Sequence, residues 1–270
     1  MSLLEVNDLR IEFPSRHGVA VAVKGMSFTV ARGEILGLVG ESGAGKSTVG
    51  NAIIDLLSAP GRVAGGEIRL NGEVISGLSG EAIRKVRGKR VGFIFQDPMT
   101  SLNPLLTIET QLVETITENL GLNPADAFIK AIEMLSAVGI PEPEIRIKQY
   151  PHQFSGGMRQ RVVIAIALAG EPELIIADEP TTALDVSIQN QILDLIRELC
   201  KEREVGCVLV THDMGVIANV TDRVAVMYMG ELVEIGEPGK ILQNPEHPYT
   251  QSMISAVPRT DVKLHRFPRV

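Results

Sequence analysis

The densest chemistry in this chain lies at residues 40–47, GESGAGKS. An apolar run, ILGLV at 35–39, precedes it, and a helical pattern continues to about Leu57. This is the G-x-x-x-x-G-K-[ST] spacing in a strand–loop–helix setting, which cradles a phosphate chain. Gly40, Gly43 and Gly45 allow the backbone amides from Glu41 through Ser42 and Ala44 to turn into an anion-binding concavity. The helix start behind them adds partial positive charge. Lys46 is placed to reach the β- and γ-phosphates, and the Ser47 hydroxyl, followed by Thr48, to hold Mg²⁺. The expected ligands are therefore ATP and Mg²⁺. A chance Gly-rich turn would not explain the Lys-Ser pair or the flanking elements.

Three further strand ends carry polar groups. LIIA at 174–177 leads to Asp178 and Glu179. Carboxylates at the C-terminal edge of a parallel sheet sit where such sheets bind ligands. Asp178 is expected in the Mg²⁺ shell, and Glu179 as the base that polarises the attacking water. On their own they would read as a solvated acidic pair. CVLV at 207–210 delivers His212, expected on the γ-phosphate. VGFIF at 91–95 delivers Gln96, whose amide senses Mg²⁺ or the attacking water without titrating.

A second phosphate grip follows from FSGGMRQR at 154–161. Ser155 reads as the N-cap of an apolar helix from about Met158 to Ala169. Gly156 and Gly157 expose amides at that helix start, an anion site in its own right. The motif has no evident use within its own chain. It has one against phosphates held by a second subunit, so the two motifs together suggest a dimeric ATPase. The plain alternative is a simple helix cap.

The ordered set resembles the ATP-binding subunits of ABC transporters, from residue 3 to about 257. It includes the Walker A loop, the Q-loop Gln96, the signature, the Walker B Asp178 with Glu179, the D-loop Ala183-Leu184-Asp185 and the switch His212. The signature departs from the family's LSGGQ at Phe154 and Met158, with Ser-Gly-Gly intact. The resemblance implies a head-to-tail pair, with ATP between the phosphate loop of one subunit and residues 155–157 of the other, and Asp185 at the seam. It also implies an aromatic on adenine. Phe13 is the candidate, a strand-end core residue being the alternative. The implied fold is α/β. It is a P-loop NTPase (ABC ATPase) core (1–96 and 159–235) with an antiparallel β subdomain, an inserted helical subdomain (97–158) and a short C-terminal extension (236–270). Asp97-Pro98-Met99-Thr100-Ser101-Leu102-Asn103-Pro104 and Asn244-Pro245-Glu246-His247-Pro248-Tyr249-Thr250 are similar to stretches of the oligopeptide, dipeptide and nickel importer ATPases. That subfamily implies two transmembrane permease subunits, a second ATPase subunit of the same or a related chain, and indirectly an extracytoplasmic solute-binding protein. A groove near residues 96–103 would dock a permease helix. Relatives often carry a Cys-rich C-terminal segment. This chain reaches Val270 without one, which leaves open a member lacking the segment or one that continues.

Composition bounds these readings. The 270 residues hold one Gly-Lys-Ser loop and one signature, half of an ATPase pair. A net charge of −7 with no basic run argues against nucleic acid as the partner. The apolar run 162–169 is too short to span a bilayer. The N-terminus lacks a basic n-region, so no signal peptide is expected and the protein belongs on the cytoplasmic face of the plasma membrane, held by partners. Cys200 and Cys207 fit no metal pattern and are expected as free thiols.

Alternation at 3–13 and 26–30 predicts half-buried strands. Asn71-Gly72 between 67–70 and 73–75 predicts a two-residue hairpin. Asn123-Pro124 with Asp126 predicts a helix start, with Phe128, Ile132 and Leu135 on one face and Gly139 at its close. Residues 236–270, with Pro238, Pro245, Pro248, Pro258 and Pro268, read as an extended, turn-rich tail. It is a packing arm or a matching surface for the partner ATPase. Rival functions are an ABC ATPase with no permease, as in DNA repair or translation, and a non-catalytic nucleotide switch. The first usually has coiled-coil inserts or tandem domains, and Glu179 and His212 argue against the second.

Overall fold

The computed structural model describes residues 2–182 and 184–256. β1 (Ser2–Ser15) and β2 (Gly18–Ala31) form a hairpin longer than the alternation predicts. β3 (Ile35–Val39) is buried at every position, and α1 (Lys46–Ile53) springs from the loop after it. β4 (Arg62–Leu70) and β5 (Glu73–Val74) turn on Asn71 and Gly72, whose φ values of 51° and 79° are the left-handed pair this dipeptide tolerates. β2, β1, β4 and β5, in that order, make an antiparallel sheet.

α2 (Glu81–Val86) and β6 (Val91–Ile94) lead into the helices α3 (Pro98–Ser101), α4 (Ile108–Leu120), α5 (Pro124–Ala137) and α6 (Pro143–Arg146). Asn123 caps α5, its side-chain oxygen accepting the N–H groups of Ala125 and Asp126 at 3.0 Å. The buried stripe of α5 is Ala127, Ala131, Met134 and Leu135, with Phe128 and Ile132 on its flank. α7 (Gly156–Leu168) returns the chain to the sheet.

β7 (Leu174–Asp178), α8 (Val186–Glu202), β8 (Gly206–Thr211), α9 (Met214–Val220), β9 (Arg223–Tyr228) and β10 (Glu231–Gly236) complete the central sheet. Its order is β10-β9-β3-β8-β7-β6, parallel except for β10. Successive side chains of a strand face opposite ways, so these continuous apolar runs serve two cores. Ile175, Cys207 and Leu209 pack toward α4, α5, α7 and α8. Leu36, Leu38, Val208 and Val210 pack toward α1 and the antiparallel sheet. Cys200 and Cys207 are buried with free thiols.

The extended tail is corrected as far as Ser255. α10 (Pro238–Gln243) and α11 (Pro248–Ser255) are helical, and Ile241, Tyr249, Met253 and Ile254 pack in a third cluster with Val39, Ile217 and Val226. Pro238 and Pro248 each occupy the first turn of a helix, where the missing N–H costs nothing. Pro258 and Pro268 lie outside the described residues.

Candidate functional site: a phosphate loop at the edge of the central sheet

Four adjacent strands, β3, β8, β7 and β6, end at one edge of the sheet. They deliver Lys46, His212, Glu179 and Gln96 to it. A cavity of about 260 Å³ opens there, lined by Ala22, Ser42, Gly43, Gly45, Lys46, Ser47, Thr48, Gln96 and Glu179. Gly40, Glu41 and Ala44 are not in this lining, and the Glu41 N–H, expected in the anion concavity, is instead bonded to the Tyr249 hydroxyl at 2.9 Å. Gly40 must be glycine because a Cβ there would fall 2.1 Å from the carbonyl oxygen of Met227. Gly45, at φ 104°, caps α1 and presses against the Ala22 carbonyl.

Lys46 is buried to 5% exposure, and its Nζ donates to the carbonyls of Gly40 and Glu41 at 2.8 Å each. Burial pushes the ammonium's pKa down, and the carboxylates of Glu179, Asp178 and Glu41 oppose that. Ser47 Oγ donates to Asp178 Oδ1 at 2.8 Å. Burial holds Asp178 above the usual carboxylate range. The Ser47 bond works against this, and the neighbouring Glu179 charge adds to it.

Glu179 is the most heavily wired group of the site. Gln96 Nε2 and Thr182 Oγ1 both donate to Oε2 at 3.0 Å, and His212 Nδ1 lies 2.9 Å from Oε1. Its backbone sits at φ 45°, an uncommon conformation for a residue with a Cβ, and its N–H is tied to the Val210 carbonyl at 2.9 Å. Burial raises the Glu179 pKa, but the hydrogen bonds from His212 and Thr182 and the charges of His212 and Lys46 outweigh it. The carboxyl stays below its ordinary value. A carboxylate held ionised and fixed by three hydrogen-bond partners is the result. Thr182 is absent from the sequence reading, although a hydroxyl three residues past a strand-end Glu is a usable signal.

The hard oxygens of Ser47 and Asp178 lie within 3 Å of each other, and Ser47 and Gln96 both line the cavity. Among the described residues no group of three His, Cys, Asp or Glu side chains could hold a metal by itself. Ser47 and Asp178 offer the hard oxygens that suit Mg²⁺, which is typically held by one or two carboxylates together with substrate phosphates.

Ser155, Gly156 and Gly157 are not part of this cavity. Ser155 Oγ accepts the Met158 N–H at 3.3 Å, the expected N-cap of α7. Gly156 borders Leu184, and Gly157 borders Ile188 of α8. Asp185 is exposed and its side chain makes no cap bond to α8. Ala183 of the same loop lies outside the described residues. Phe13 is half-buried, its ring against Gly61, and it pairs with Ala20, two residues before the cavity-lining Ala22.

A strand-borne phosphate loop, a wired Glu after β7, two strands along the sheet, and a remote Ser-Gly-Gly helix start define an ABC ATPase. The sequence profile of the ABC transporter family matches residues 23–182, and the chain belongs to that family. A second profile, the oligopeptide/dipeptide transporter C-terminal region, matches residues 233–270. The chain is 50% identical to the oligopeptide transport ATP-binding protein OppD of Bacillus subtilis, over 95% of this chain and 72% of that protein. It is 48% identical to the dipeptide transport ATP-binding protein DppD of the same organism, over 96% and 78%. Its fold is similar to the dimeric ATP-binding cassette MJ0796 in a post-hydrolysis state bound to ADP and Pi. The TM-score is 0.77 at 28% identity, over 87% of this chain and 98% of that one.

Proposed function

We propose that this chain is the ATP-hydrolysing subunit of a peptide importer, working in a pair at the cytoplasmic face of the membrane beneath two permease subunits. The partner ATPase is a second copy or a related chain. Among the described residues no helix is long and apolar enough to cross a membrane. Peptides as cargo follow from the two transport proteins above and the C-terminal profile.

The observation that carries the reading is the convergence of Gln96, Thr182 and His212 on the Glu179 carboxylate, in the cavity that Lys46 also lines. In this reading the loop amides and Lys46 hold the triphosphate, and Ser47, Asp178 and Gln96 would hold Mg²⁺, which when bound would supply positive charge to the phosphate oxygens. Glu179 accepts hydrogen bonds that keep it ionised and orient it, so it can draw a proton from water aligned with the γ-phosphorus. His212 bridges Glu179 and the γ-phosphate side. Residues 155–157 of the facing subunit, with Asp185 at the seam, close the other side of the phosphates, and Phe13 stacks on adenine. Loss of the bridging phosphate reopens the pair and moves the permease.

Glu179→Gln tests this. The amide keeps the shape but cannot take a proton, so turnover should fall by about 10²–10⁴-fold while ATP still binds and the pair stays closed. Normal turnover by this variant would sink the assignment of Glu179.

A further inference from the structure

Tyr249 lies 208 residues from the phosphate loop in sequence, yet its hydroxyl accepts the Glu41 N–H at 2.9 Å. That N–H belongs to the same peptide unit as the Gly40 carbonyl, which Lys46 Nζ engages at 2.8 Å. In a trans peptide the C=O and N–H point opposite ways. The Gly40–Glu41 plane is therefore held from both sides, by the ammonium within and by the phenol outside. Hydrogen bonding at one end of a peptide also polarises the other, which strengthens the carbonyl's hold on the ammonium.

The phenol is itself well supported. Its ring stacks on Tyr228 at 4.1 Å between centroids and 27° between planes. Tyr228 follows Met227, whose carbonyl abuts Gly40. The start of α11 is anchored by Glu234, which accepts the N–H groups of Glu246 and His247 at 2.9 and 3.1 Å, and His247 Nδ1 caps the Tyr249 N–H at 3.2 Å. The β9–β10 turn adds Gly230 N–H to the Ala44 carbonyl at 3.1 Å. The C-terminal helix thus joins the outer wall of the loop.

We propose that Tyr249 is a positioning residue for ATP: its hydroxyl fixes the Gly40–Glu41 peptide, and through it the placement of Lys46 in the phosphate cradle. This rests on reading residues 40–47 as the triphosphate loop. It gives residues 237–255 a part in nucleotide affinity rather than packing alone. Substrate grip is then sensitive to anything that pulls on α11.

The test is equilibrium binding of a fluorescent ATP analogue to the full chain, with melting followed in parallel. Tyr249→Phe removes the hydroxyl and keeps the ring stack. Its affinity should fall about fivefold, the worth of one ordinary hydrogen bond. Asn123→Ala, a cap deletion in α5, serves as the control for general destabilisation and should bind as the parent does. An unchanged affinity for Tyr249→Phe, or a loss matched by Asn123→Ala, overturns the proposal. Lys46→Ala separates the underlying reading. If it binds the analogue as the parent does, residues 40–47 are not the triphosphate loop. If it loses binding while Tyr249→Phe does not, only the role of Tyr249 fails.

Discussion

The phosphate loop and the Ser155 loop are both glycine-bearing helix starts, and they are held in opposite ways. The first is bound on every side by its own chain: Lys46 from within, Gly230 and Tyr249 from without, and the Met227 carbonyl against Gly40. The second has a 3.3 Å side-chain cap at Ser155 and the helical bond from the Arg159 N–H to the Ser155 carbonyl at 2.9 Å, with Ser155 and Gly156 exposed. A grip that must act alone is rigidified, because amides fixed in advance lose no freedom when the anion arrives. A grip that must meet ligand carried by another subunit has to stay presented. The difference supports a site finished only when two chains meet.

Gly156→Asp strains this contrast hardest. Among the described residues a Cβ at Gly156 meets only Leu184, at 3.6 Å, so the side chain fits, and an acid at a helix start favours folding. The same charge repels phosphate. Turnover by the pair should drop at least ~100-fold while the separate chain binds nucleotide and melts normally. Weakened binding by the separate chain would mean that both loops serve one bound nucleotide within one subunit.

Thr182→Ala sharpens the internal half with a smaller effect, a loss of about tenfold in turnover from one donor to the base. The pH dependence carries the sign. Glu179 sits below the ordinary carboxylate value, so its ionised form is present above that value and is lost as pH falls through the lowered one. Removing the Thr182 donor raises that pKa, so the acid limb of kcat/KM moves to higher pH. An unmoved limb would show that Thr182 does not act on Glu179.

The smallest effect separates cap from chemistry. Ser155→Ala should cost about 1 kcal/mol through the lost cap, or about 2–4 °C in Tm. Asn123→Ala should match it in Tm. Only the Ser155 change should also slow turnover, and equal turnover in the two variants would leave Ser155 as a cap and nothing more.

What could be read from sequence was what local chemistry decides. β3 was legible residue for residue because an unbroken apolar run ends at Gly40, and the β4–β5 turn because Asn71-Gly72 tolerates left-handed backbone. Ser155 and Asn123 were legible as caps because a short polar side chain beside a periodic run has one good use. The tail misled because Pro238, Pro245 and Pro248 read as breakers, although two of them start helices. Gln96 and His212 were legible as strand-end polar groups, read toward Mg²⁺ or water and toward the γ-phosphate, but their convergence on Glu179 was not. Thr182 went unread although its spacing from Glu179 was a usable signal, because a Thr just past a strand end reads equally well as a solvated turn residue. Tyr249 was out of reach for a different reason: a hydroxyl meeting a backbone N–H across 208 residues leaves no local pattern.

The pairing of β3 has a consequence for how the molecule is made. Its hydrogen-bonded neighbours are β8 and β9, with Ile35 opposite Cys207 and Leu36 opposite Arg223. A ribosome adding about 5–20 residues per second needs roughly 10–35 s to pass from one partner to the other. Through that interval the strand bearing the phosphate loop has neither edge covered. Long-range parallel pairing is also intrinsically slow. The nascent chain therefore exposes its most apolar strand longest, and a fragment ending at residue 182 should aggregate rather than yield a small nucleotide-binding unit.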